Sequence, residues 1–249
     1  KIAHIHGGET TLGAIDNIYR HQITLASTLH FTAAEEFSER VMQLIGHYDN
    51  VHTVGSISLE ELANISLPNW EMVKEEFQIP FDQFILVTFH PESVEANRNK
   101  NLSKTAFDTL QEISKEHNLL ITQANSDAMS SLFNTQFAKL AKLNPKRVRL
   151  IKSLGKHNYF KAIQQCDLML GNTSSGIIEA ASFKKWVINV GDRQKGRLRN
   201  DNIKDVIFSS EQILDAIDHV LVKREYNGGN KYCQPNSTNS IISLISEYA

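Results

Sequence analysis

Apolar runs of strand length alternate with segments of helical period along almost the whole chain, a pattern that admits little other than a parallel sheet covered by helices. Strands are expected at 2–5, 29–32, 52–54, 84–89, 119–122, 148–151, 168–170, 186–190 and 205–207. Helices are expected near 12–27, 33–45, 102–117, 126–142, 156–165, 175–184 and 210–224. The stretch 55–80 breaks this rhythm with two short helical patterns and with Pro68 and Pro80, so it reads as a connector between two units. Only two or three strands precede it, whereas about five β-α units follow, enough for a complete doubly wound sheet. A last helix, near 237–248, follows the loop 227–235 and is expected to pack back on the first unit.

Composition narrows the partners. Lysine and arginine number 26 against 28 aspartates and glutamates, a net charge of -2, which leaves no electrostatic footprint for nucleic acid or an anionic membrane. The two cysteines, Cys166 and Cys233, have no C-x-x-C spacing. They fit a reducing cytoplasm and argue against a disulfide framework or a structural zinc. No apolar run reaches the roughly 18 residues of a membrane span. The chain opens on Lys1-Ile2-Ala3-His4, already in strand pattern, so the first unit is expected to lack an upstream part.

The segment Gly171-Asn172-Thr173-Ser174-Ser175-Gly176-Ile177-Ile178-Glu179 follows an apolar strand and opens a helix. Helix starts present unpaired N–H groups and partial positive charge, while small hydroxyl residues let a phosphate approach. Glu179, one turn in, is placed to accept from vicinal ribose hydroxyls. The plainer alternative is that Thr173 or Ser174 only caps the helix. Ile177 stands where a Walker A loop needs lysine, which excludes a P-loop kinase or ATPase. After the next strand comes Gly191-Asp192-Arg193-Gln194-Lys195-Gly196-Arg197-Leu198-Arg199. Such a loop clamps a diphosphate or, as charge runs usually do, simply faces solvent.

Two further strand ends carry polar groups at the carboxyl edge, where open α/β sheets place ligands. His90 in Thr88-Phe89-His90-Pro91-Glu92-Ser93 is a candidate acid or phosphate donor, against a purely structural histidine. Gln123-Ala124-Asn125-Ser126-Asp127 offers amide and carboxylate groups, against an ordinary N-cap. Near the start, His4, His6, Glu9, Asp16, Arg20 and His21 surround a glycine turn. Two carboxylates with a histidine can supply the base and acid that proton transfer from carbon requires. Asp16 and Arg20, at i and i+4, equally fit a simple ion pair. His4 and His6 alternate faces of a strand, so a metal held by them alone is disfavoured and none is expected.

In order and spacing, HIHGGETTLGAIDNIYRHQIT, VTFHPES, GNTSSGIIEAASF and INVGDRQKGR resemble the UDP-N-acetylglucosamine 2-epimerase family over nearly the whole chain, specifically its hydrolysing branch from bacterial sialic and legionaminic acid pathways. The resemblance implies an α/β fold of GT-B architecture, two Rossmann-like domains with the first truncated at its N-terminus. It implies a division into 1–55 as the rear of the first domain, 56–80 as connector, 81–230 as the nucleotide-sugar domain and 231–249 as a helix returning to the first. The implied reaction removes the proton at C2 with loss of UDP, forming a glycal. Hydrolysing members add water and release the free epimerised sugar, whereas non-hydrolysing members restore UDP. Residue by residue, Thr173, Ser174, Ser175, Gly176 and Glu179 would hold phosphate and ribose, with Arg193, Gln194 and Arg197 on the diphosphate. His90, Asn125 and Arg20 would face the nucleotide sugar, and Glu9, Asp16 and His90 would do the acid–base work. No cofactor is implied; the expected partner is a UDP-sugar, and the complete protein is expected to be a cytoplasmic homodimer. The chain departs from the family pattern at His6, where some relatives have glutamate, at Leu25, where lysine is usual, and at Thr173, where serine is usual. A truncated UDP-binding module inactive alone, a non-hydrolysing 2-epimerase and a GT-B glycosyltransferase are the competing readings.

Overall fold

The computed structural model describes residues 1–13, 16–93, 96–125 and 129–248. The chain begins with β1 (Ala3–Ile5), α1 (Asp16–Ala26), β2 (Leu29–Thr32), α2 (Glu35–Ile45) and β3 (Val51–Thr53). These strands form a parallel sheet in the order β1-β2-β3. The proline-marked stretch folds into α3 (Ile57–Asn64) and α4 (Trp70–Phe77). The larger unit then runs β4 (Ile85–Thr88), α5 (Asn99–Ile113), β5 (Leu119–Thr122), α6 (Ser130–Leu143), β6 (Val148–Ile151), α7 (Gly155–Gln165), β7 (Leu168–Gly171), α8 (Ser174–Ile178), β8 (Val187–Val190), β9 (Ile203–Val206) and α9 (Ser210–Leu221). The chain closes on α10 (Ser237–Tyr248).

All six strands of the larger sheet are parallel, in the order β6-β5-β4-β7-β8-β9. A strand covered on both faces must be apolar at every position, yet its alternate residues serve different cores. Ile85, Val87, Leu119, Ile121, Leu168, Leu170, Ile188 and Val190 enter the core under α5, α6 and α9. Phe84, Leu86, Leu120, Met169 and Val187 enter the other, under α4 and α7. Full burial of each such side chain contributes about 1.5–3 kcal/mol. A third cluster joins Ala33, Ala34 and Phe37 of the smaller unit to Leu59, Ile177, Ile178 and Tyr232. In a fourth, Ile241, Leu244 and Tyr248 of α10 cover Leu29, Phe31 and Val54.

Most bounds shift by one to four residues, the helix expected at 102–117 lying at Asn99–Ile113, and three of the shifts have a visible local cause. The helix read as 175–184 ends at Ile178 and continues as a 3-10 turn, Ala180–Phe183, stopped by Lys184 at φ 59°. The last strand begins two residues and ends one residue earlier than 205–207, because Ile203 packs inward while Ile207 is 63% exposed. Trp186 lies just outside β8, its indole N–H donating to the Arg224 carbonyl at 2.8 Å. Among the described residues no helix is long and apolar enough to cross a membrane.

Candidate functional site

The larger sheet reverses its winding at β4, which pairs with β5 on one side and β7 on the other. Ligands of open α/β sheets bind outside the carboxyl ends of the strands at such a point. There a cavity of about 410 Å³ opens, walled by Thr88 and His90 after β4, Asn125 after β5, Ser153 to Lys156 after β6, and Thr173 and Ser175 after β7. Its size falls in the range of small-ligand sites. His90 and Asn125 meet there, with Nδ1 3.0 Å from the Asn125 side-chain oxygen and 3.2 Å from the Asn125 backbone nitrogen. Because a backbone N–H can only donate, Nδ1 accepts and the neutral ring carries its proton on Nε2; the Asn125 amide then turns its NH₂ towards the ring. Ser126 and Asp127, also singled out above, lie outside the described residues.

Asn172 ties the two sides of the switch point together. Its side chain accepts from the His90 N–H at 2.7 Å and donates to the His90 carbonyl at 2.9 Å. Its own carbonyl accepts from Arg193 at 3.2 Å and from Gln194 at 2.8 Å. Asn172→Ala removes both side-chain bonds to the His90 main chain, while the main-chain carbonyl of residue 172 keeps Arg193 and Gln194. An expected loss of about 1–3 kcal/mol follows, with weaker UDP binding, both measurable by thermal unfolding and calorimetry.

The remaining expected groups separate by role. Thr173 caps α8 by accepting from the Ser175 N–H and also lines the cavity. Ser174 opens the helix half-buried, and Gly176 is buried where a Cβ would lie 2.9 Å from Val187. Glu179 is buried and accepts from Ser58 at 2.9 Å. Burial raises its carboxyl above the usual range, with the Ser58 and Ser175 hydroxyls pulling back. The hydroxyl oxygen of Tyr159, on the same wall, is buried without a hydrogen bond of good geometry. Burial pushes it up to about 12, so it remains a donor.

The basic loop is not a solvated run. Arg199 forks onto Asp205 at 3.0 and 3.1 Å. Arg197 lies 3.4 Å from the Glu9 carboxylate and is only 12% exposed, while Lys195 is the exposed member. Glu92, buried after β4, accepts from the Asp192 N–H at 3.2 Å and so holds this loop beside the β4 end. Gly13 touches it, since a Cβ there would lie 2.3 Å from the Asp192 carbonyl oxygen.

Across from it stands the first-segment cluster. Glu9 is fully buried; its Oε1 accepts from the Tyr232 hydroxyl at 2.8 Å and its Oε2 lies 3.3 Å from His6 Nε2. Arg20 donates to the Glu9 carbonyl at 2.8 Å and to Thr11 at 3.3 Å rather than serving Asp16 alone. Asp16 is exposed at the start of α1. His4 is structural: its ring bonds Thr24 at 3.0 Å, and burial, with His30, Arg20 and His6 nearby, lowers it to about 4. Sequence reasoning missed Tyr232, Ser58, Tyr159 and the 153–156 loop. Asn172 alone had a signal, lying inside the quoted motif.

Comparison with solved structures defines the class. The UDP-GlcNAc 2-epimerase of Methanocaldococcus jannaschii, in complex with UDP-GlcNAc and UDP, superposes with a TM-score of 0.79 over 99% of this chain and 69% of that one, at 16% identity. The Neisseria meningitidis enzyme bound to UDP-GlcNAc gives 0.77 over 98% and 69%, at 17% identity. The fold is therefore that of a GT-B α/β protein. The pattern of the UDP-N-acetylglucosamine 2-epimerase family matches residues 1–246, and the chain belongs to that family. The hydrolysing GDP/UDP-N,N'-diacetylbacillosamine 2-epimerase of Campylobacter jejuni is 34% identical over 226 residues, covering 90% of this chain and 58% of that protein. The hydrolysing UDP-N,N'-diacetylbacillosamine 2-epimerase of Legionella pneumophila is 31% identical, covering 98% and 64%. The chain thus spans about three fifths of the length of these curated relatives.

Proposed function

We propose that the chain forms the larger part of a hydrolysing 2-epimerase acting on UDP-N-acetylglucosamine or a UDP-2,4-diacetamido sugar. The observation that carries this is the apposition of a buried acid–base cluster at Glu9 and His6 to the basic loop at Arg197, a loop whose Arg193 and Gln194 bond Asn172 at the switch point. A glycosyltransferase would use such a base on an acceptor hydroxyl, so release of UDP without an acceptor is what separates the two readings. The names of the Campylobacter and Legionella relatives favour the diacetamido sugar.

In this reading Thr173, Ser174, Ser175 and Gly176 hold phosphate with Arg193, Gln194 and Arg197, and Glu179 holds ribose. His90, Asn125 and Arg20 orient the nucleotide sugar, and Glu9, Asp16 and His90 are the acid–base candidates. The C2 proton is removed, its electron pair forms the C1=C2 bond, and the C1–O pair leaves with UDP. Water then adds, oxygen to C1 and a proton to C2, releasing the free epimerised sugar. The division at 55, 80 and 230, a cytoplasmic setting within sialic-type sugar synthesis, and a homodimer of the complete protein belong to the same proposal.

The test is proton NMR of the complete natural chain with each UDP-sugar in D₂O. The expected outcome is UDP together with a free sugar deuterated at C2. Nucleotide binding without turnover would instead mark a binding module, and UDP release that requires an acceptor would mark a glycosyltransferase.

A further inference from the structure

His6 directly follows β1 and holds φ at 67°, the left-handed region that a non-glycine residue keeps only where its surroundings impose it. Its N–H donates to the Phe31 carbonyl at 2.7 Å, so the turn is anchored in the small sheet. Its side chain is 30% exposed, whereas that of Glu9 is 0% exposed. Both Glu9 oxygens are engaged, Oε1 by Tyr232 and Oε2 by His6 and Arg197. Tyr232 is itself locked: its ring is fully buried against Phe37, its N–H donates to Asn230, its carbonyl accepts from Ser56, and its hydroxyl also reaches the Leu198 carbonyl at 3.1 Å. A carboxylate so enclosed is closed to a sugar carbon, whereas the ring beside it is partly open.

We propose that His6 is the residue that takes the C2 proton, and that Glu9, instead of exchanging that proton itself, acts with Tyr232 as a positioning residue through it. This rests on the epimerase reading above. With Nε2–H directed at Glu9, the neutral ring offers the Nδ1 lone pair, which no described residue hydrogen-bonds. Nδ1 takes the proton from C2 as the C–H electron pair becomes the C1=C2 bond and the C1–O pair departs with UDP. The imidazolium so formed rests against the Glu9 carboxylate, the arrangement by which a buried acid orients and stabilises a histidine base. His6 gives its proton to solvent before the next turnover. The other charged or titratable groups facing the pair are Arg197 on the carboxylate, Arg20 on the Glu9 carbonyl, and His4 on β1.

The test uses the complete natural chain in D₂O with the UDP-sugar it turns over. His6→Asn keeps a residue that tolerates the left-handed turn but cannot carry the proton. Deuterium entry at C2 and UDP release are expected to fall by more than about 100-fold, while the UDP Kd from calorimetry stays within about twofold. Tyr232→Phe keeps the ring in its core; kcat is expected to drop about tenfold at unchanged KM. A long-range ¹⁵N spectrum of the His6 ring is expected to show the neutral form protonated on Nε2. Exchange within about threefold of wild type in His6→Asn, or a ring protonated on Nδ1, overturns the assignment while leaving the epimerase reading intact. A wild-type chain that turns over no UDP-sugar removes the epimerase reading, and this assignment with it.

Discussion

Gly171→Ala is expected to destabilise the protein by about 4 kcal/mol or more, the range reserved for changes the backbone cannot absorb. Gly171 ends β7 at φ 142°, a conformation that excludes side chains, and a Cβ there would lie 1.9 Å from the Thr88 carbonyl oxygen. Thr88 and Gly171 are partners in the β4–β7 ladder at the switch point, so the clash is between two main chains and no rotamer relieves it. Moving either strand end also moves Asn172 and His90, which hang on the next residues. Thermal unfolding should show a drop of about 10 °C for a chain of this size, with UDP binding lost in calorimetry. A melting temperature within about 2 °C of wild type would refute the close approach.

Glu9→Ala is the second large effect. It leaves Arg197 facing no carboxylate and the buried Tyr232 hydroxyl without its 2.8 Å acceptor. Breaking a buried pair by removing one partner costs about 3–5 kcal/mol, mostly through the charge left behind. Turnover should vanish as well, because His6 loses its orienting group. The pH dependence separates charge from packing. Burial works to raise the Glu9 carboxyl, but the hydrogen bond from His6 and the charge of Arg197 outweigh it and hold the group below its ordinary value. A folded pKa below the unfolded one gives stability that is complete above the unfolded carboxylate range and is lost as pH falls through the folded value. Urea unfolding of wild type and Glu9→Gln should therefore show a wide gap at neutral pH that narrows on acidification below the unfolded carboxylate pKa. A gap that stays constant across that window would mean the glutamate contributes shape alone.

The local elements were legible because each depends on neighbours in the chain. Strands such as Leu29–Thr32, Leu119–Thr122 and Val148–Ile151 coincide with their apolar runs. The phosphate-type loop at Gly171 and the basic loop at Gly191 were likewise visible, because a turn after a strand requires small residues nearby. Boundaries failed where packing outweighed pattern, as at Ile203 and at the break after Ile178.

Residue types and their order along the chain thus determined the α/β class, the parallel strands, and which loops carry polar chemistry, since these follow from periodicity of two or 3.6 and from backbone sterics. Only the tertiary structure decided what those groups do to one another. It brought Tyr232 against Glu9 from 223 residues away, gave Ser58 of the connector to Glu179, and turned Arg197 from solvent onto a buried carboxylate. Such pairings leave no periodic trace in a sequence, because they depend on where two distant loops meet when their sheets pack and on the electrostatic need of each buried charge for a partner.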